Sequence, residues 1–154
     1  MKTGIINLEQ EVEKMGVVFE AFAKTPVESR VFAFLLLSEP PHRSFNDIRD
    51  FLKASKSSVS LALNKLMNEG IVTYITFSGD RKRYFQINLD KWLLSLEEAT
   101  KDLTALNMVV REALELRVDS KHLVFNEGLE KIIAFQEFLE LRISEAIEEW
   151  KKAH

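Results

Sequence analysis

SFNDIRDFLKASKSSVSLALNKLMNEGIVTYITFSGDRKRYFQI, residues 44–87, is the stretch on which the fold turns. Ser44 is placed to cap a short helix, Phe45 to Lys53, whose Ile48, Phe51 and Leu52 turn inward. Ala54-Ser55 makes a turn. Ser55 then caps a second helix, Lys56 to Glu69, and Gly70 fits the position past its end that favours a left-handed residue. Val59, Leu63, Leu66 and Met67 form the apolar face of this second helix. Ile71 to Phe77 and Tyr84 to Ile87 are rich in β-branched and aromatic residues, and the polar link Ser78-Gly79-Asp80 marks a hairpin between them. Two short helices joined by a tight turn, then a two-stranded hairpin with a basic tip, is the layout of a winged helix-turn-helix.

Upstream, Asn7 is a cap for a first helix with Glu9 and Glu11 in its first turn. Leu8, Val12, Met15, Phe19 and Phe22 form one apolar stripe along it. Thr25-Pro26-Val27-Glu28 combines an N-cap, a proline at the first helical position and a capping-box glutamate. The run Val31 to Leu37 is apolar nearly all round, which predicts a buried central helix ended by Pro40-Pro41. Downstream of Asp90 the chain reads as helical. Leu96, Ala99, Leu103, Leu106, Val110 and Ala113 keep spacings of three and four, a coiled-coil-like seam. Val118-Asp119-Ser120 breaks it. A last helix starts between Ser120 and Glu127, with Ile132, Ile133, Leu139, Ile143, Ile147 and Trp150 apolar. The seam suits either contact with a second copy or packing of the final helices on each other. The expected fold class is mainly α with a small β-hairpin.

The net charge is −3, yet it is unevenly spread. Residues 42–91 carry nine Lys/Arg against five Asp/Glu, while the segments on either side are acidic. A basic segment between acidic ones suits a chain that meets phosphate with one face. With no cysteine, disulfides and thiolate metal sites are excluded, and a reducing, cytoplasmic setting fits. No apolar run approaches the roughly 18 residues of a membrane span, and the N-terminus lacks the apolar block of a signal peptide. His42, His122 and His154 are scattered, and no phosphate loop, dinucleotide fingerprint or nucleophile elbow is present, so neither an enzyme nor a cofactor is expected.

A helix that reads DNA needs an apolar face for anchorage and a small, polar face for base edges. Outside the core stripe of Lys56–Glu69 lie Lys56, Ser57, Ser58, Ser60, Leu61, Asn64 and Lys65. Asn is able to bridge N6 and N7 of adenine, and Ser to bond a base edge or a phosphate. Lys56 stands at the helix N-terminus, which itself favours phosphate. The serines are equally readable as ordinary first-turn residues, and Leu61 either meets a thymine methyl or packs under the hairpin. Arg81, Lys82 and Arg83 sit at the hairpin tip; strand alternation would put Arg81 and Arg83 on one face and Lys82 on the other. Arginine's planar fork suits phosphate or the minor groove. Arg43 and Arg49 are weaker candidates.

The segment Ser55 to Leu66, followed by Glu69-Gly70-Ile71-Val72 and Gly79-Asp80-Arg81-Lys82-Arg83-Tyr84-Phe85, resembles the GbsR branch of the MarR-like winged-helix regulators, and Trp92 is similar too. The likeness covers about Phe45 to Trp92. It implies a homodimeric transcriptional regulator that binds double-stranded DNA, with dimer contacts from an N-terminal helix (1–24) and a C-terminal helical region (90–154) around a winged domain (25–89). It carries over no effector. A small-molecule effector of unknown identity would sit at the aromatic junction of Tyr84, Trp92 and Leu93. A winged-helix module that binds protein and not DNA is the other class compatible with the fold.

Overall fold

Thr25 accepts a hydrogen bond from the Glu28 backbone N–H, and the Glu28 carboxylate accepts from the Thr25 N–H, both at 3.3 Å. This capping box opens the central helix of a molecule whose computed structural model describes residues 7–22, 24–100 and 102–154. The elements are α1 (Leu8–Glu20), α2 (Pro26–Leu37), β1 (Arg43–Ser44), α3 (Phe45–Leu52), α4 (Lys56–Asn68), β2 (Val72–Ile75), β3 (Tyr84–Ile87), α5 (Leu89–Ala99), α6 (Asp102–Glu115) and α7 (Leu123–Ala153). The chain divides into two compact units, residues 1–92 and 93–154.

In the first unit, α2 is the buried centre: Val31, Phe32, Ala33, Phe34 and Leu35 are almost fully buried, as its all-round apolarity requires. Val12 of α1, Ile48 of α3, Val59, Leu63 and Leu66 of α4, and Ile71, Val72 and Phe85 of the sheet region close the same core. Phe19 and Trp92 both meet Phe32 edge to face, at centroid distances of 4.9 and 5.0 Å. Arg30 of α2 reaches across to Glu13 and Glu20 of α1. Phe22 does not extend the α1 stripe inward: the helix ends at Glu20, and Phe22 is 69% exposed.

Ser44 caps α3 through a second capping box, with Asp47 at the third helical position. α3 ends on Lys53 in the left-handed region (φ +51°), and Gly70 (φ +77°) follows α4 as its turn residue. The sheet has three strands where two were expected, in the order β1-β3-β2, all antiparallel. β1 pairs Arg43 with Phe85 and Ser44 with Tyr84; at two residues it is too short to leave a periodic trace in sequence.

In the second unit, α6 and α7 form an antiparallel pair. Thr104 meets Glu140, Arg111 meets Glu137, and the Arg117 guanidinium donates to Asn126 at 2.9 Å near the turn. The expected unbroken seam is divided: α5 ends at Ala99 and α6 begins at Asp102. At the division the Thr100 hydroxyl donates back to the Glu97 carbonyl at 2.7 Å, the competing bond that loosens a helix end. Leu103 lies outside the described side chains. α7 turns Leu129, Ile133, Gln136, Leu139, Ile143 and Ile147 inward, with Ile132 on the same side but 48% exposed, while Phe135, Phe138 and Leu141 stay exposed on another side. One helix thus carries two apolar stripes, of which a single chain covers one.

Candidate nucleic-acid interface

Burial of Val59, Ala62, Leu63 and Leu66 fixes which side of α4 faces the core. Ala62 was absent from the stripe read in sequence because its small side chain gives little signal. The opposite side exposes Lys56, Ser57, Leu61, Asn64, Lys65 and Asn68. Leu61 is 72% exposed and so does not pack under the hairpin. Ser58 and Ser60 are half-buried. The Ser55 hydroxyl accepts from the Ser58 N–H at 3.1 Å and donates to the Ser58 hydroxyl at 2.7 Å, with the Ser57 hydroxyl 3.2 Å away. The first-turn serines therefore share a local network that builds the helix start. Lys65, though on the exposed side, has its ammonium 3.1 Å from the buried Glu28 carboxylate of α2.

Residues 76–83 link β2 to β3. The Asp80 N–H donates to the Phe77 carbonyl at 3.1 Å around Gly79, whose φ of +80° an L side chain would resist. The Asp80 carboxylate accepts from the Tyr84 hydroxyl at 2.6 Å and from the Lys82 N–H at 2.9 Å. These bonds, Tyr84's foremost, hold the Asp80 carboxyl below its ordinary value, and the same contact pushes the Tyr84 phenol up. His42 packs its ring on Phe77 and Tyr84 at 5.2 and 5.5 Å and supports the base of the loop.

Arg81, Lys82 and Arg83 are all exposed. The expected strand alternation does not govern them, because the last ladder pair is Ile75 with Tyr84 and all three lie beyond it. Their directions come from local contacts. Arg83 lies over the Tyr74 ring at 4.6 Å. All three line a groove with Ser44, Phe45, Asn46 and Phe85, next to the start of α3. Asp47 is held below its ordinary value first by the Ser44 hydroxyl, against burial, with smaller contributions from Arg43 and Lys82.

Charge pairing separates the cations of this unit into two sets. Lys14, Lys24, Arg30, Arg49, Lys53 and Lys65 each sit within 4.0 Å of a carboxylate. Arg43 is held by the Ser38 hydroxyl and the Glu39 carbonyl. Among the described residues of this unit Lys56, Arg81, Lys82, Arg83 and Lys91 have no carboxylate partner within 4.0 Å. Four of these five cations lie at the α4 N-terminus and the hairpin tip, and the fifth, Lys91, lies in α5.

Tyr84, at the start of β3, belongs to the hairpin cluster, whereas Trp92 anchors on Phe32 in the core. No group of three His, Cys, Asp or Glu among the described residues is placed to hold a metal, and no described helix is long and apolar enough to cross a membrane.

No protein-family model matches the chain. It is similar to the HTH-type transcriptional regulator MmpR5 of Mycobacterium tuberculosis, with 26% identity over 100 residues. That match spans 65% of this chain and 61% of the relative, less than two thirds of the relative's length. Among solved structures, one described as a transcriptional regulator matches with a TM-score of 0.68 and 21% identity, over 95% of this chain and 99% of that chain. The transcriptional regulator BldR from Sulfolobus solfataricus matches at a TM-score of 0.40 and 22% identity, over 81% of this chain and 83% of its own, and the fold assignment does not rest on it. Mainly helical, with a three-stranded antiparallel sheet that follows two short helices, the chain has a winged helix-turn-helix fold extended by helices at both ends.

Proposed function

We propose that the chain is a sequence-specific DNA-binding transcriptional regulator, a homodimeric repressor of the MarR-like type in its GbsR branch, acting on a pseudo-palindromic operator. The observation that carries this reading is the separation of cations. Six basic side chains of the first unit sit beside carboxylates, whereas Lys56 and the hairpin-tip Arg81, Lys82 and Arg83 do not, nor does Lys91 in α5; the four at α4 and the hairpin are left for an external anion. Polyanionic duplex DNA supplies such anions at fixed spacing. The exposed Asn64, Ser57 and Leu61 offer a short, mixed surface for base edges. The likeness in fold to a solved transcriptional regulator supports the same reading.

The homodimer is supported by the second stripe of α7, Phe135, Phe138 and Leu141, and by exposed Val17, Val18 and Phe22 on and just after α1. Large apolar side chains grouped on one face of a helix mark a surface that another molecule covers. Two copies would set two α4 helices about one DNA turn apart, ~34 Å.

Titration of duplex DNA at several salt concentrations tests the reading. Affinity should fall steeply with salt, and replacing Arg81 and Arg83 together by Ala should weaken all duplexes and flatten the slope by about 0.9 per lost phosphate contact. Salt-indifferent binding, or binding only to a protein partner, would replace DNA recognition with the interaction-module reading.

A further inference from the structure

Lys24 and Glu28 flank the start of α2 four residues apart; Lys65 and Glu69 lie four apart at the end of α4. Lys65 and Glu69, so spaced at a helix end, share a face, while Lys24 lies just ahead of the Thr25 cap. The pairs cross in antiparallel register, Lys24 to Glu69 at 2.9 Å and Glu28 to Lys65 at 3.1 Å. We propose that these four side chains form a two-rung ionic clamp that sets the orientation of α4 on α2, and that Lys65 is a positioning residue for base readout and not a phosphate ligand. The proposal rests on the DNA-binding reading above.

The Glu28 side chain is only 4% exposed. Burial pushes its carboxyl up, but bonds from Lys65 and Thr25 outweigh that and hold it below its ordinary value. Lys65 is the one cation bonded to it among the described residues. For Lys65 to reach a DNA phosphate it would have to abandon a buried carboxylate, and a buried charge stripped of its partner is costly. Glu28 also closes the capping box of α2. The carboxylate therefore ties the start of the central helix to the end of the candidate recognition helix. Asn64, next to Lys65, points where that tie directs it. The outer rung reinforces the inner one, since Lys24 is 15% exposed and Glu69 39%.

The test uses full-length protein carrying Lys65→Met, Lys65→Met with Glu28→Gln, or Arg81→Ala. The probes are a duplex selected by the wild-type protein from a random pool and a scrambled duplex. Thermal unfolding is measured without DNA. Lys65→Met should lower Tm. Adding Glu28→Gln should recover most of the loss, because glutamine keeps the capping box while removing the stranded charge. At temperatures where every variant is folded, both proteins that carry Lys65→Met should keep the wild-type salt slope yet lose roughly tenfold in the ratio of selected to scrambled affinity, the low end for one misplaced bidentate base contact. A purely structural role would restore that ratio in the double variant and overturn the positioning role. Arg81→Ala should do the reverse, flattening the slope by about 0.9 and sparing the ratio. Unchanged Tm with a flatter slope in Lys65→Met would make Lys65 a phosphate ligand and overturn the clamp. If the wild-type protein binds neither duplex, the DNA reading fails, and the clamp is judged by unfolding alone: a Tm loss recovered in the double variant supports it, and no loss overturns it.

Discussion

Asn64 is the side chain on which base discrimination should depend most. It is exposed on α4, and its amide offers a donor and an acceptor side by side. Asn64→Ala should reduce the preference for a selected over a scrambled duplex by about 1–3 kcal/mol, with little change in the salt slope, as competition titrations will read. The exposed, polar character of this position was legible in sequence, because the core stripe of Val59, Leu63 and Leu66 fixes the opposite face. Its neighbour shows where sequence runs out. Lys65 reads as one more surface cation, since the carboxylate that engages it lies 37 residues away. Ser58 likewise reads as a groove-facing hydroxyl until the bond from Ser55 is seen.

At the scale of elements, the caps were the most readable feature. Asn7, Thr25, Ser44 and Ser55 each accept from a first-turn N–H, as their position before apolar periodic runs requires. The sheet was less readable, because β1 has only two residues and gains its strand character from pairing with β3. The α5–α6 division was hidden by apolar spacing that continues through it. The hairpin loop has its own pH dependence. Asp80 has a lowered folded value, so the stability it contributes is fully present above its ordinary value of 3.8 and is lost as pH falls through the lowered one. The Tyr84 phenol, raised, remains a donor throughout the neutral range. The backbone amide signal of Lys82, whose N–H donates to the Asp80 carboxylate, should therefore hold steady from pH 7 down to about 4 and change only below it. A transition between about pH 5 and 7, where neither group titrates, would assign the loop's order to another residue.

For the whole molecule, the second unit is the informative part. It buries Ile133, Asn107 and Gln136 but leaves Leu106, Val109, Phe135 and Phe138 in water. The sequence seam left two options; its Val110 and Ala113 are half-buried in the unit where α6 and α7 pair, and Leu106 is exposed. In the proposed homodimer the outer stripe of α7 meets a second copy. Phe135→Glu should convert the protein to a monomer in sedimentation velocity and weaken operator binding, while far-UV circular dichroism stays helical. An unchanged sedimentation coefficient would remove that stripe from the interface.

The way β3 is secured bears on the fate of a cut chain. It is laced on both edges, to β1 on one side and β2 on the other, and its Phe85 is seated in the core. The basic tip between β2 and β3 hangs outside that lacing and offers trypsin three successive sites at Arg81, Lys82 and Arg83. Brief digestion should yield two fragments that migrate apart in denaturing gels yet remain one particle in native ones. Bound duplex should shield the scissile bonds, so the nick becomes a footprint of nucleic acid on the protein.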